Sequence, residues 1–240
     1  MKAPKPTGYV LHRGISGGRR FVSVVTLETE NEKTGDMAQI WFLIEDLHPV
    51  HAVAQGIDAE TICRGCPFAA GNGCYVDVSK APAAVWRKFR AGGYPELLPC
   101  SYAEVFTGRK IRFGAYGNPT LLPLSLVRAL AKVSSGWTGY FHDWKTNRFA
   151  AGYAEFFMAS TETRDSHRLA QSLGFRTFHV SPEKPAGAVE CLNTATNGRV
   201  QCAQCKLACN GLSGRAQSVW IAPHGTRQGR AEAVAMGGAN

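Results

Sequence analysis

Lys110-Ile-Arg-Phe-Gly-Ala-Tyr116-Gly-Asn-Pro-Thr120, followed by residues 121–142, decides the fold. Residues 110–115 read as a strand that breaks at Gly117-Asn118-Pro119. Residues 124–133 then place Leu126, Leu130 and Val133 on one side of a helix. Residues 137–142 return as a strand. Strand, loop, helix, strand is the unit of a parallel sheet. The rhythm continues outward, with strands expected at 155–159, 176–180 and 218–222, and a helix at 165–173 closed by Gly174. Upstream, residues 9–12, 21–29 and 39–45 read as strands rich in β-branched and aromatic residues. Pro49 starts a short helix over 50–55, and residues 82–91 form another, stopped by Gly92-Gly93. The expected fold is α/β: a partial parallel (β/α) barrel of about six strands. An N-terminal antiparallel β extension spans 1–48, the barrel 49–225 and a flexible tail 226–240.

Eight cysteines need a chemical account. Cys63-Arg-Gly-Cys66-Pro-Phe-Ala-Ala-Gly-Asn-Gly-Cys74 puts three in one glycine-rich loop. Cys-x2-Cys spacing brings two sulfurs within reach of one metal, and thiolates are strong, soft donors. Three ligands leave one position open. An iron–sulfur cluster with one open iron fits that count; zinc requires a fourth ligand, for which Cys100, His48 and His51 are the candidates. Cys191, Cys202, Cys205 and Cys209 form a second set at 191–209. Four thiolates complete a zinc site or a four-iron (4Fe-4S) cluster equally well. Cys100 is then left over as a small apolar residue.

The N-terminus lacks the apolar run of a secretory signal, and no stretch approaches the ~20 apolar residues of a membrane helix. The expected setting is cytoplasmic, where close cysteines read as metal ligands before disulfides. Net charge is +9, which permits contact with nucleic acid through a basic surface. The chain has no phosphate-binding Gly-x4-Gly-Lys loop, Gly-x-Ser-x-Gly elbow or His-Glu-x2-His helix.

Polar residues gather where the parallel strands end: Gly117 and Asn118, His142 and Asp143, Ser160 and Glu162, His179 and Ser181, and His224. That edge carries the site in parallel β/α folds. The candidate lining residues are Gly117, Asn118, Ser160, His142 and His224. The bland roles are also specific: Asn118 as a turn residue, His179 as a structural histidine, Glu162 and Asp165 as helix-start acids.

The three-cysteine loop followed by Tyr75 and a β/α pattern resembles the radical S-adenosylmethionine superfamily. In that family, three cysteines hold a four-iron cluster whose fourth iron takes the cofactor's amino and carboxylate groups. The resemblance implies that Gly114-Ala-Tyr-Gly117-Asn118-Pro119 matches the glycine-rich turn at the cofactor amino group. It also implies that Phe157-Met-Ala-Ser160-Thr-Glu162 matches a later strand end near the cofactor, and that the C-terminal cysteines match an auxiliary cluster. The family's usual spacing is Cys-x3-Cys-x2-Cys; this chain has Cys-x2-Cys-x7-Cys. Over most of its length the chain also resembles uncharacterised cysteine-rich proteins of phages and mobile elements. That likeness lies in the cysteine loop, Ala84-Val-Trp86, Gly93-Tyr-Pro95, Arg112–Pro119, Gly139-Tyr140, Met158-Ala-Ser160 and Ala222-Pro-His224-Gly225. The expected function is an iron–sulfur enzyme using S-adenosylmethionine on an unidentified substrate. The alternative is a non-catalytic zinc protein of a mobile element that contacts nucleic acid or a host protein.

Overall fold

The computed structural model describes residues 5–29, 31–211, 217–225 and 227–236. Three strands open the chain: β1 (Gly8–Ser16), β2 (Arg19–Thr26) and β3 (Ala38–Ile44). They form an antiparallel ladder turned at Gly17-Gly18. Every residue of β3 is buried, as expected of a strand covered on both faces. Helices α1 (Pro49–Ala54), α2 (Ile57–Glu60), α3 (Ala81–Arg90) and α4 (Tyr102–Phe106) lead to β4 (Lys110–Tyr116), which pairs parallel to β3.

From there the chain alternates. Helix α5 (Leu124–Val133) precedes β5 (Gly136–Phe141), α6 (Ala150–Tyr153) precedes β6 (Met158–Thr161), and α7 (Arg164–Ser172) precedes β7 (Thr177–Val180). The last elements are β8 (Val189–Glu190), α8 (Leu192–Ala195), β9 (Val219–Ile221) and α9 (Gln228–Ala235). The strands form one nine-stranded sheet in the order β1-β2-β3-β4-β5-β6-β7-β9-β8, parallel from β3 onward. Neighbours in sequence are neighbours in the sheet except at the β8–β9 end. The sheet is open and mostly parallel, with nine strands where a partial barrel of about six was expected.

The sequence pattern located most elements. Helix α5 has the expected bounds, and most other elements shift by a residue or two. Two differences matter. The strand expected at 155–159 begins at Met158. Phe156 and Phe157 donate their backbone N–H groups to Tyr153 O at the end of α6, so they belong to a helix terminus. The segment 226–240 was expected to be a flexible tail, but Gln228–Ala235 is helix α9, with Ala231 and Ala235 buried. Its small residues allow close backbone contact, which a hydrophobicity pattern does not register. Residues 226 and 237–240 of that segment lie outside the described residues.

The main core lies between the sheet and its helices. Phe157, fully buried, is its densest point: its ring lies 5.3 Å from Phe113, 6.0 Å from Tyr153 and 6.5 Å from Phe141. A smaller second core joins Met158, Phe178, Val219 and Ile221 to Leu207 and Cys209 from the C-terminal cysteine segment. Among the described residues, no helix is long and apolar enough to cross a membrane.

Two buried histidines brace α7 against the sheet. His179 Nδ1 meets Thr161 Oγ1 at 2.9 Å, His167 Nδ1 meets Thr177 Oγ1 at 2.8 Å, and the rings lie 5.0 Å apart. Both are structural, as His179 was expected to be. Burial, then the neighbouring His167, pulls His179 down to about 4.

Phe157→Ala leaves a cavity and is expected to cost about 3–5 kcal/mol in a urea unfolding titration. The histidines give a pH dependence. Between the unfolded value near 6.5 and the folded value about 4, the unfolded chain binds the extra proton, so stability falls as pH is lowered through that window. In urea melts at pH 7 and pH 4.5, His179→Gln is expected to flatten that acid-side loss.

Candidate metal and ligand site

The first cysteine set sits on a loop that the C-terminal ends of β4 and β5 hold in place. Cys63 N donates to Asp58 O at 2.8 Å, Cys66 N to Cys63 O at 3.2 Å and Cys74 N to Phe68 O at 2.9 Å, so the loop is a run of tight turns. Arg64 and Ala70 both adopt left-handed backbone, each with φ of 51°. That conformation costs a non-glycine residue about 1 kcal/mol or more.

Arg64 is pinned by its side chain. Its Nε lies 2.8 Å from Oδ2 of Asp143, whose side chain is only 2% exposed. Asp143 also accepts from Asn118 Nδ2 at 2.9 Å, from Thr120 Oγ1 at 2.9 Å and from Asn147 Nδ2 at 3.1 Å. Asn118 N in turn donates to Ile62 O at 2.7 Å, next to Cys63. One buried carboxylate thus ties the cysteine loop to the ends of two strands. Gly117 has φ of 83°, and a Cβ there would lie 2.6 Å from Phe42 Cβ and 3.2 Å from Ile62 O. Only glycine lets β4 pass so close to β3 and the loop.

Helix α9 covers the same loop from the other side. Arg230 Nη1 donates to Gly71 O at 3.0 Å. A Cβ on Gly73, at φ 121°, would lie 2.6 Å from the Ala231 backbone.

The second set is clamped by another buried cation. Arg176 donates to Leu207 O at 2.8 Å, Ala208 O at 2.5 Å, Asn210 O at 2.9 Å and Gln217 O at 3.0 Å. Cys202 N donates to Lys33 O and Ala203 N to Thr34 O, just before β3. Lys110 Nζ, at the start of β4, donates to Ala203 O, and Gly139 N in β5 donates to Cys209 O. The segment therefore reaches across to chain that precedes it by 70 to 169 residues.

Both sets border one cavity of about 120 Å³. Its wall follows the two-residue period of the strands: Arg112 on β4, Thr138, Tyr140 and His142 along and beyond β5, Ser160 on β6, and Phe178 and Val180 on β7. Cys66, Cys74 and Tyr75 border it from the first loop, and Cys191, Cys202 and Cys209 from the second segment. Lys33 and His224 complete the wall. Lys33 Nζ donates to His224 Nε2 at 2.7 Å, so His224 is neutral and its Nδ1–H donates to Ala222 O at 3.0 Å. The His224 ring stacks on Tyr75 at 5.5 Å. Two wall atoms, His142 Nδ1 and Thr138 Oγ1, are buried with no hydrogen-bond partner. Burial pulls His142 down to about 4.

The candidate residues therefore divide. Ser160, His142 and His224 line the cavity. Gly117 and Asn118 lie behind the cysteine loop and hold it, and Asp143 does the same. The zinc candidates stand apart: His48 caps α1 and packs on Trp86 at 5.1 Å, and Cys100 is exposed. Arg112, Thr138, Tyr140 and Lys33 were not singled out from sequence. The alternation 138, 140, 142 was the available signal for two of them; Lys33 comes from a loop that sequence leaves unplaced.

The eight cysteines are all free. Burial pushes the Cys63, Cys66 and Cys74 thiols up, and it raises Cys209 to about 12. Neighbouring backbone N–H groups, of Phe68 and Ala69 at Cys66 and of Val76 at Cys74, counter part of that rise. Such donors suit a thiolate, and hydrogen bonds to sulfur are among the levers that tune iron–sulfur centres. A bound cation supplies what the buried thiols lack, since coordination deprotonates them. Among the described residues, no three His, Cys, Asp or Glu side chains gather as a ready-made site for one metal ion. Comparison with protein-family models, curated proteins and solved structures gives no match for this chain.

Asp143→Ala removes the anchor of the cysteine loop. The expected cost is on the order of 2 kcal/mol in urea melts, with faster alkylation of Cys63, Cys66 and Cys74 followed by mass spectrometry.

Proposed function

We propose that the chain is an iron–sulfur protein with a radical S-adenosylmethionine-like core, an enzyme acting on a small molecule held in the cavity. The observation that carries this reading is that free thiols from both cysteine sets, Cys66 and Cys74 from the first and Cys191, Cys202 and Cys209 from the second, border the same cavity. In this reading Cys63, Cys66 and Cys74 hold a four-iron cluster, and Cys191, Cys202, Cys205 and Cys209 hold an auxiliary one. When bound, a three-cysteine cluster in this superfamily supplies the electron that cleaves S-adenosylmethionine.

The donor chemistry fits such a group. The seven cysteines are free and lie at least partly out of water, and neighbouring backbone N–H groups favour the thiolate form of Cys66 and Cys74. Their loop follows β3, the first strand of the parallel series, and meets the ends of β4 and β5. A partial (β/α) barrel belongs with the same reading: seven strands run parallel, and alternate residues of the central ones face the cavity.

The chain's own residues then have definite tasks. Ser160 offers a hydroxyl from the wall. His142 stays neutral well below pH 7, so its free Nδ1 can serve as an acceptor or donor without a charge change near neutrality. Tyr140, Phe178, Phe68 and Tyr75 make the walls largely apolar and limit water around any bound ligand.

Strictly anaerobic purification with iron, sulfide and zinc analysis tests the reading. About eight irons per chain with matching sulfide, and an absorption band near 400 nm, are expected from two four-iron clusters. Replacing Cys63, Cys66 and Cys74 by Ala should halve the iron. Two zincs without colour would overturn the proposal and favour the non-catalytic alternative with a basic surface for nucleic acid.

A further inference from the structure

Arg112 is a buried cation, 5% exposed, in the wall of the cavity. Arg176, the other buried arginine, spends its donors on four backbone carbonyls. Arg112 has no such partners. Among the described residues no carboxylate lies within ion-pair distance of it, and no oxygen or sulfur accepts a hydrogen bond from it. The ionisable groups whose charge it feels are Tyr140, Tyr75, Cys202, Cys209 and Lys33. Thiolates at a metal would balance part of its charge. A guanidinium has five donors, and burying them unmet costs free energy unless a ligand or water supplies acceptors.

The geometry specifies the ligand further. The guanidinium carbon lies 3.9 Å from the centroid of the Tyr140 ring, whose other neighbour, Phe178, is stacked at 4.1 Å. The guanidinium thus lies over the Tyr140 ring, and among the described residues no acceptor takes its N–H donors. An in-plane fork matches a carboxylate, which it binds through two parallel hydrogen bonds. Lys33, a second cation without a carboxylate partner among the described residues, reaches the same cavity 5.6 Å from the Tyr75 ring centroid. The rest of the wall is mostly aromatic and apolar.

We infer that the cavity binds an aromatic or similarly flat apolar carboxylate, with Arg112 as the carboxylate anchor and Lys33 adding positive potential. This rests on the reading of the cavity as the active cavity, and it names the class of substrate. It does not depend on which metal the cysteines hold.

Calorimetry on the full-length, anaerobically purified protein tests it, with metal content measured on the same samples. Benzoate is the probe, benzamide its neutral isostere and inorganic phosphate the competing anion. Benzoate should bind at least tenfold more tightly than benzamide to the wild-type protein. Arg112→Met should lose at least tenfold in benzoate affinity while leaving benzamide unchanged, and Lys33→Met should lose a smaller factor. The benzoate–benzamide comparison needs no variant, so it stands even if Arg112→Met fails to fold. Equal binding of the two probes, no binding of either, or phosphate displacing benzoate at equal concentration would overturn the inference. Charge-selective benzoate binding in samples without iron would uphold it while the iron–sulfur reading fails. Iron-loaded protein that ignores benzoate would overturn it alone.

Discussion

A single buried carboxylate organises the upper edge of this protein. Asp143 follows β5 and is almost wholly out of water, where an uncompensated charge would cost several kcal/mol. It is compensated from three directions: Arg64 in the cysteine loop, Asn118 and Thr120 after β4, and Asn147 beyond its own turn. The same contacts hold Arg64 in a left-handed conformation that a free loop would leave. The position of Cys63 and Cys66 is thus a consequence of satisfying Asp143. Helix α9 completes the fixation through the close approach of Ala231 to Gly73.

The second cysteine segment is held by a different device. Arg176 gathers carbonyls from residues 207, 208, 210 and 217, while backbone bonds tie residues 202 and 203 to the β2–β3 connection. These contacts lay irregular chain against the face of the sheet, and the small core of Met158, Phe178, Val219, Ile221 and Leu207 forms beneath it. The cavity is the space left between this segment and the first loop. The two buried arginines have opposite situations: Arg176 is held by four backbone carbonyls and supports structure, and Arg112 opens onto the cavity with its donors unspent.

Much of the scaffold was readable from residue order. The helix at 124–133 carries its apolar residues on one face, and the strands at 110–116, 136–141 and 177–180 are short apolar runs closed by Gly, His or Ser-Pro. The grouping of seven cysteines into two sets was readable from spacing alone. Helix α9 was not, because its buried face is built from alanines. The extent of the sheet was not either: about six strands were countable, while nine pair in one open sheet, because pairing of the front strands with the parallel series depends on long-range packing.

The residues that the strand-end rule picked out take two kinds of place in the structure. Asn118 and Asp143 sit where ligand-binding residues are expected, yet they hold each other and the loop. Ser160, His142 and His224 sit at equivalent strand ends and do face the cavity. Sequence by itself determined the α/β alternation, the two thiol sets and the edge that carries the first of them, because hydrophobic period, glycine placement and cysteine spacing act over a few residues. Only the tertiary structure decided that the two sets share one cavity, that Arg112 and Lys33 enter it, and that Asp143 is an anchor. Those facts depend on which distant groups are left unpaired after packing, and pairing is settled only when the chain has folded.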